Sequence, residues 1–131
     1  MILTWQSIYS VNVRELDDQH KKLFDILNRV FEIKNVEDGG GLESILEELE
    51  EYANYHFSME EKYFDKFNYP EKDQHKKMHE FYVEKIREIK KAGLNEEAII
   101  ELRIFLKDWW LRHIQNVDQR YSDFFNQNHL F

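Results

Sequence analysis

The sequence predicts an all-α protein, an up-down-up-down antiparallel four-helix bundle with an ordered N-terminal arm. Three observations predict it. Apolar residues recur at helical spacing in four stretches of about 20 residues or more. Helix breakers separate the stretches: Gly39-Gly40-Gly41, then Asn68-Tyr69-Pro70, then Gly93. Each stretch also carries histidine, with carboxylates in two of them at helix-compatible spacing.

The arm is residues 1–16. Thr4-Trp5, Ile8-Tyr9 and Val11 to Val13 mix aromatic and β-branched residues without helical period, which suits a segment packed across the bundle. The first helix is expected over 17–37, where Leu23, Phe24, Leu27, Val30 and Phe31 form one stripe before the glycines. The second is expected over 42–67, with Ile45, Leu46, Leu49, Tyr52, Ala53, His56, Met59, Glu60, Tyr63 and Phe64 in register. The chain's lone proline, Pro70, follows it. The third is expected over 71–92, through His75, Met78, His79, Tyr82, Val83, Ile86 and Ile89, and Gly93 is placed to terminate it. The fourth is expected over 95–126. Asn95 suits its start, Glu96 and Glu97 suit its positive end, and Leu102, Leu106, Trp109, His113, Val117 and Tyr121 follow. With 131 residues, a single domain over 1–131 is the expectation.

Composition excludes several chemistries. There is no cysteine, so no disulfide, thiolate metal site or cysteine nucleophile is available. The formal net charge is −8 with basic residues interleaved, which leaves no positive face for nucleic acid or an anionic membrane. No run is long and apolar enough for membrane insertion, and the N-terminus lacks the layout of a secretion signal. A cytoplasmic protein is expected.

His56 and Glu60 are four apart, as are His75 and His79, so each pair shares one helical face. His20 and the pair His113 and Asp118 lie on the other two helices. Seven polar groups are thereby aimed into one core, where leaving them unpaired would cost about 1 to 3 kcal/mol apiece. Metal coordination removes that penalty, and seven ligands exceed what one ion can use. Imidazole with carboxylate suits iron, manganese, zinc or copper, and disfavours calcium or magnesium. If Glu60 and Asp118 each bridge two metals and a hydroxide or oxide also bridges, five histidines divided three and two leave one metal six-coordinate and the other five-coordinate. The open position suits a small terminal ligand such as dioxygen. Five imidazoles place less negative charge on the metals than a carboxylate-rich di-iron bundle does, which favours reversible binding over oxygen activation. His113 and Asp118 are five apart, about 140° around an ideal α-helix. They either face a metal pair lying along the bundle axis or are realigned by one wide turn.

A lone H-x-x-x-H would be weak evidence, and five histidines over four helices are much harder to obtain by accident. His129 has no such context and reads as a solvated side chain. Phe24, Tyr52, Tyr55, Phe57, Tyr63, Phe81, Tyr82, Trp109 and Trp110 read as core. The runs Glu47-Glu48, Glu50-Glu51 and Lys90-Lys91 read as solvated helix faces.

Several motifs resemble the hemerythrins, in particular the single-domain bacterial ones. They are Trp5, Tyr9-Ser10-Val11, Asp17-Asp18-Gln19-His20-Lys21, His56-Phe57-Ser58-Met59-Glu60-Glu61, Tyr69-Pro70, His75-Lys76-Lys77-Met78-His79, Trp109, His113-Ile114 and Asp118. The resemblance implies two iron ions per chain, oxo- or hydroxo-bridged, and no haem. It assigns His75, His79 and His113 to the six-coordinate iron, His20 and His56 to the five-coordinate iron, and Glu60 and Asp118 to the bridge. Dioxygen would bind end-on at the iron of His20 and His56, with Phe24, Trp109 and Trp110 as oxygen-pocket candidates. The implied protein is not an enzyme. It is a monomer that stores, transports or delivers dioxygen, with an oxygen-consuming enzyme as recipient. The alternatives are an oxygen or redox sensor, or a scavenger of peroxide or nitric oxide at the same site. Trp110 departs from the smaller apolar residue, often leucine, that the family carries there, and Asn12 and Asn68 stand where many relatives would have glycine.

Overall fold

The computed structural model describes residues 2–33 and 41–131. These residues form an all-α four-helix bundle. Helix α1 spans Arg14–Glu32, α2 Gly41–Phe67, α3 Lys72–Ala92 and α4 Glu96–Arg112. A π-helical turn, His113–Asp118, joins α4 to α5, Gln119–Gln127, so these three pieces make one long fourth helix. Around the bundle α1 packs against α2 and α4, and α3 against α2 and α4. No described helix is long and apolar enough to cross a membrane.

The boundaries follow from local chemistry. Helix α1 begins three residues before the expected start at residue 17. Leu16 is fully buried, one further step of the stripe that continues at Leu23, and the Asp17 amide already donates to the Val13 carbonyl at 2.9 Å. The expected arm therefore loses residues 14–16 to the helix, while the expected last turn at 34–37 and the stop at Gly39-Gly40 lie outside the described residues. Asn95 caps α4 by accepting from the Ala98 amide at 2.8 Å. Gly93 ends α3 with φ of 101°, a conformation that a Cβ would strain. Asn12 and Asn68 adopt φ of 57° and 54°. This left-handed region explains the glycine expected at both places, and asparagine is among the side chains that tolerate it best.

The arm crosses the bundle as extended chain broken by a 3₁₀ turn at Ser7–Tyr9. Asn28 clamps it through two bonds with the Leu3 backbone, at 2.7 and 2.9 Å. Asp17 accepts from the Val11 amide and the Ser10 hydroxyl, and Gln119 donates to the Ser10 carbonyl.

Two apolar clusters divide the interior. The larger gathers Leu23, Phe24, Leu27, Leu46, Leu49, Phe57, Tyr82, Ile86, Leu106, Trp110 and Ile114, among others. The smaller, at the opposite end, holds Val11, Val13, Leu16, Phe64, Tyr69, Tyr121 and Phe125. A polar layer lies between them. Along α1 it falls between Leu16 and Leu23, along α2 between Phe57 and Phe64, along α3 between Tyr69, in the turn that precedes the helix, and Tyr82, and along the fourth helix between Trp110 and Tyr121. Two of the aromatic residues expected in the core are instead exposed: Tyr55 at 51% and Phe81 at 59%. Each directly adjoins an inward residue, His56 or Tyr82, and one helical step of about 100° turns it to solvent.

Candidate metal centre

The polar layer consists of His20, His56, Glu60, His75, His79, His113 and Asp118, all buried. Helix α1 supplies His20, α2 supplies His56 and Glu60 one turn apart, and α3 supplies His75 and His79 one turn apart. The π-helical turn starts at His113 and ends at Asp118. Its wider winding realigns residues five apart, so the realigned turn is the one the chain uses. Asp118 Oδ1 consequently lies 3.1 Å from His113 Nε2.

The side chains divide into two donor groups. Glu60, His75, His79 and His113 form one, and His20, His56, Glu60 and Asp118 the other, with donor atoms within 4.8 Å of one another in each. In the first, His113 Nε2 lies 3.0 Å from His75 Nε2 and 3.2 Å from His79 Nε2. An ion with metal–nitrogen distances near 2.1 Å holds adjacent octahedral donors about 3.0 Å apart, which is this spacing. Asp118 presents one oxygen to each side, Oδ1 at 3.1 Å from His75 and Oδ2 at 3.1 Å from His20. Glu60 presents Oε1 to both groups, 3.2 Å from His79 and 3.5 Å from His56.

Unpaired atoms test whether a cation fits. Among the described residues, His20 Nδ1 and Nε2, His56 Nε2, Glu60 Oε1 and both Asp118 oxygens are buried without a hydrogen-bond partner. So dense a set of orphaned donor atoms in one layer is costly in a dry interior and is relieved by cations at its centre. The electrostatics agree. Burial and Asp118 push the Glu60 carboxyl upward, yet His56, His79 and His75 outweigh them and hold it down to about 2. Burial likewise opposes ionisation of Asp118, and His113, His20 and His75 hold it well below the usual carboxylate range. Burial alone would lower His79, but Glu60 and Glu61 raise it to about 9. Burial dominates at His56, which falls to about 3. Two ionised carboxylates thus face imidazoles that accept protons only where a carboxylate compels them. The layer is built for positive charge, and its seven donors fit a pair of metal ions.

Comparison with known proteins bears on the same residues. The hemerythrin HHE cation-binding domain matches residues 11–124. The chain belongs to the hemerythrin family. A bacteriohemerythrin of Clostridium acetobutylicum is 31% identical over 129 residues, covering 93% of this chain and all of that one. A hemerythrin-like protein of Naegleria gruberi is 32% identical over 118 residues, covering 90% of this chain and 89% of its own. The crystal structure of a wild-type hemerythrin superposes with a TM-score of 0.82 at 28% identity, covering 94% of this chain and 97% of that one. The family resemblance read from the motifs therefore holds, and so does the fold it implies.

Three further residues of this hemerythrin-family chain shape the site without being among the seven. Gln19 Oε1 lies 2.6 Å from His56 Nδ1, and Glu61 Oε2 lies 2.9 Å from His79 Nδ1. Each accepts the Nδ1 proton and so leaves Nε2 facing the centre. Tyr121 donates its hydroxyl to Glu60 Oε2 at 2.5 Å, leaving Oε1 for the donor groups. A sequence signal existed for the first two, since each polar residue directly adjoins a ligand-type residue, His20 or Glu60. Tyr121 read only as a helix-stripe aromatic.

The three oxygen-pocket candidates separate. Trp110 is fully buried with its ring centroid 6.3 Å from that of His56. Its indole N–H donates to the Tyr82 oxygen at 3.1 Å, and its ring stacks on Phe57 at 5.5 Å. Phe24 packs edge-on to Trp5 at 5.6 Å, and Trp5 in turn stacks on His20 at 6.4 Å. Phe24 and Trp110 therefore stand on the side of the two-histidine group. Trp109 lies elsewhere, stacked on His113 at 4.3 Å. His129 is exposed.

Proposed function

We propose that this chain binds dioxygen reversibly at a pair of non-haem iron ions, for oxygen storage or delivery in the cytoplasm. One observation carries the proposal. The seven buried donors split unequally, with three imidazoles on one side and two on the other, and two carboxylates within reach of both. His75, His79 and His113 would hold one ion and His20 and His56 the other, with Glu60 and Asp118 shared. The pair, when bound, would supply two electrons and a place for a small ligand.

The chain's own residues fit that role. Gln19 and Glu61 keep the Nδ1 protons of His56 and His79 away from the centre, so each Nε2 offers its lone pair. Tyr121 donates its hydroxyl to Glu60 Oε2 and so fixes which oxygen faces inward. Trp5, Phe24 and Trp110 cover the two-histidine side with apolar surface and exclude water, which favours an uncharged guest. The aromatic rings that touch this side carry no acid or base suited to turnover, which favours binding. The proposed form is a monomer that passes its oxygen to an oxygen-consuming enzyme.

Metal analysis with optical spectra tests the reading. Two irons per chain, and a reduced-state spectrum regenerated through repeated cycles of oxygen addition and evacuation, are the expected results. Irreversible oxidation at the first exposure, or a chain that takes up no iron, defeats it.

A further inference from the structure

Two adjacent tryptophans lean on different halves of the centre and meet at one phenol. Trp109 stacks on His113, of the three-histidine group, at 4.3 Å and 11°. Trp110 stands 6.3 Å from His56, of the two-histidine group. Both rings contact Tyr82, Trp109 at 4.5 Å and Trp110 at 5.1 Å between centroids, and they lie 5.0 Å from each other. Trp110 also donates its N–H to the Tyr82 oxygen at 3.1 Å, so the phenolic proton of Tyr82 is directed away from Trp110. Tyr82 lines a cavity of about 400 Å³ between α2 and α3, whose other walls include Glu50, Lys90 and Arg87. Glu50 and Lys90 pair across it at 2.9 Å.

Indole and phenol are the side chains that most readily surrender one electron in a chain without cysteine. Here they form an unbroken contact path from both donor groups to a polar cavity. We propose that Trp109, Trp110 and Tyr82 are a one-electron relay between the metal site and the α2/α3 cavity, draining oxidising equivalents when hydrogen peroxide reaches the site. In each passage an indole gives one electron toward the site. Tyr82 then returns an electron to the indole and releases its phenolic proton to water or Glu50 in the cavity. Two passages with two protons convert one hydrogen peroxide to two waters. The neutral tyrosyl radical is restored by a hydrogen atom from a small thiol entering the cavity, and two thiyl radicals combine as a disulfide. The inner end of the relay rests on the proposed metal pair, whereas the Trp to Tyr step belongs to the polypeptide alone.

Pulse radiolysis of the metal-free Trp5→Phe chain with azidyl radicals, which take one electron from tryptophan, isolates that step, because the substitution removes the third indole, which lies 5.7 Å from Tyr9; the further substitutions are made in that background. Indolyl absorbance should decay as tyrosyl absorbance grows, at a rate independent of protein concentration. Tyr82→Phe should lose this phase, and Trp109→Phe and Trp110→Phe, which keep the phenol, should each reduce its amplitude. A phase that persists in Tyr82→Phe, is absent from the Trp5→Phe parent, or is unchanged in both tryptophan variants overturns the relay. In the iron-loaded chain, freeze-quenching after peroxide should trap a tyrosyl radical by electron paramagnetic resonance, lost in Tyr82→Phe. A chain that binds no iron defeats the proposed function while leaving the radiolysis result standing. Loss of the radiolysis phase in a chain that binds iron defeats the relay alone.

Discussion

A buried imidazole can bind metal only if its proton is on the other nitrogen, and Gln19 and Glu61 enforce this at His56 and His79. Gln19→Ala removes the acceptor from His56 Nδ1 and should weaken metal binding by about 10- to 100-fold, measured by competition with a chelator. Unchanged affinity would assign Gln19 to packing only. Trp110 is held from two directions, by the Tyr82 hydrogen bond and by the Phe57 face. Trp110→Leu should cost roughly 2 to 4 kcal/mol in denaturant unfolding through lost transfer and residual cavity. It should also hasten oxidation of the iron-loaded protein, because the space opened beside His56 admits water. An oxidation rate equal to wild type would show that the indole does not guard that side. The ligand-type residues were legible in the chain because each helix carries histidine and two of the pairs, His56 with Glu60 and His75 with His79, stand one regular turn apart. Their hydrogen-bond partners were not, because each such bond crosses between helices and depends on which rotamers meet.

At the level of elements, the π-helical turn does what a regular helix cannot. An α-helix would turn Asp118 about 140° from His113, whereas the wide turn brings Oδ1 to 3.1 Å from His113 Nε2. The five-residue spacing signalled a departure from α geometry. Choosing between two metals along the axis and a widened turn required the backbone. Helix caps were more legible, since Asn95 and Gly93 act through their own local conformation. Asn95→Ala should lower stability by about 1 kcal/mol in thermal or denaturant melts, with metal content unchanged, since the cap is remote from the donor layer. A fall in metal content would tie the α4 start to the site. The start of α1 was harder to place, because the arm and the first helical turn share Val13 and Leu16 in one apolar cluster.

Across the whole molecule, the cost of a polar layer between two apolar clusters makes stability depend on pH. For the metal-free chain, His56 is lowered from 6.5 to about 3, so its unfolded form binds the proton more readily, and its contribution is lost as pH falls from 6.5 toward 3. Glu60, lowered from 4.5 to about 2, adds a further loss as pH falls through that window. His79 is raised from 6.5 to about 9, so its contribution is full below 6.5 and lost as pH climbs through 9. Metal-free stability should therefore peak near pH 6.5, as denaturant melts across pH would show, and a flat profile from 5 to 9 would contradict these assignments. Bound metal adds stability by mass action, about 2.7 kcal/mol at a hundredfold excess over its dissociation constant, so chelation should lower the melting temperature.

The chain by itself determined the helical class, the antiparallel order, the family and the seven residues of the polar layer, because period, breakers and motif spacing are local properties written at one turn's range. Only the tertiary structure decided that the His113–Asp118 turn is widened, which oxygen of Glu60 faces inward, that Trp109 and Trp110 point to different histidines, and that both meet Tyr82. Those outcomes depend on the rotation of each helix about its axis and on contacts between residues as far apart as Glu60 and Tyr121. Helical periodicity places a side chain on a face but leaves open what the neighbouring helix sets against it.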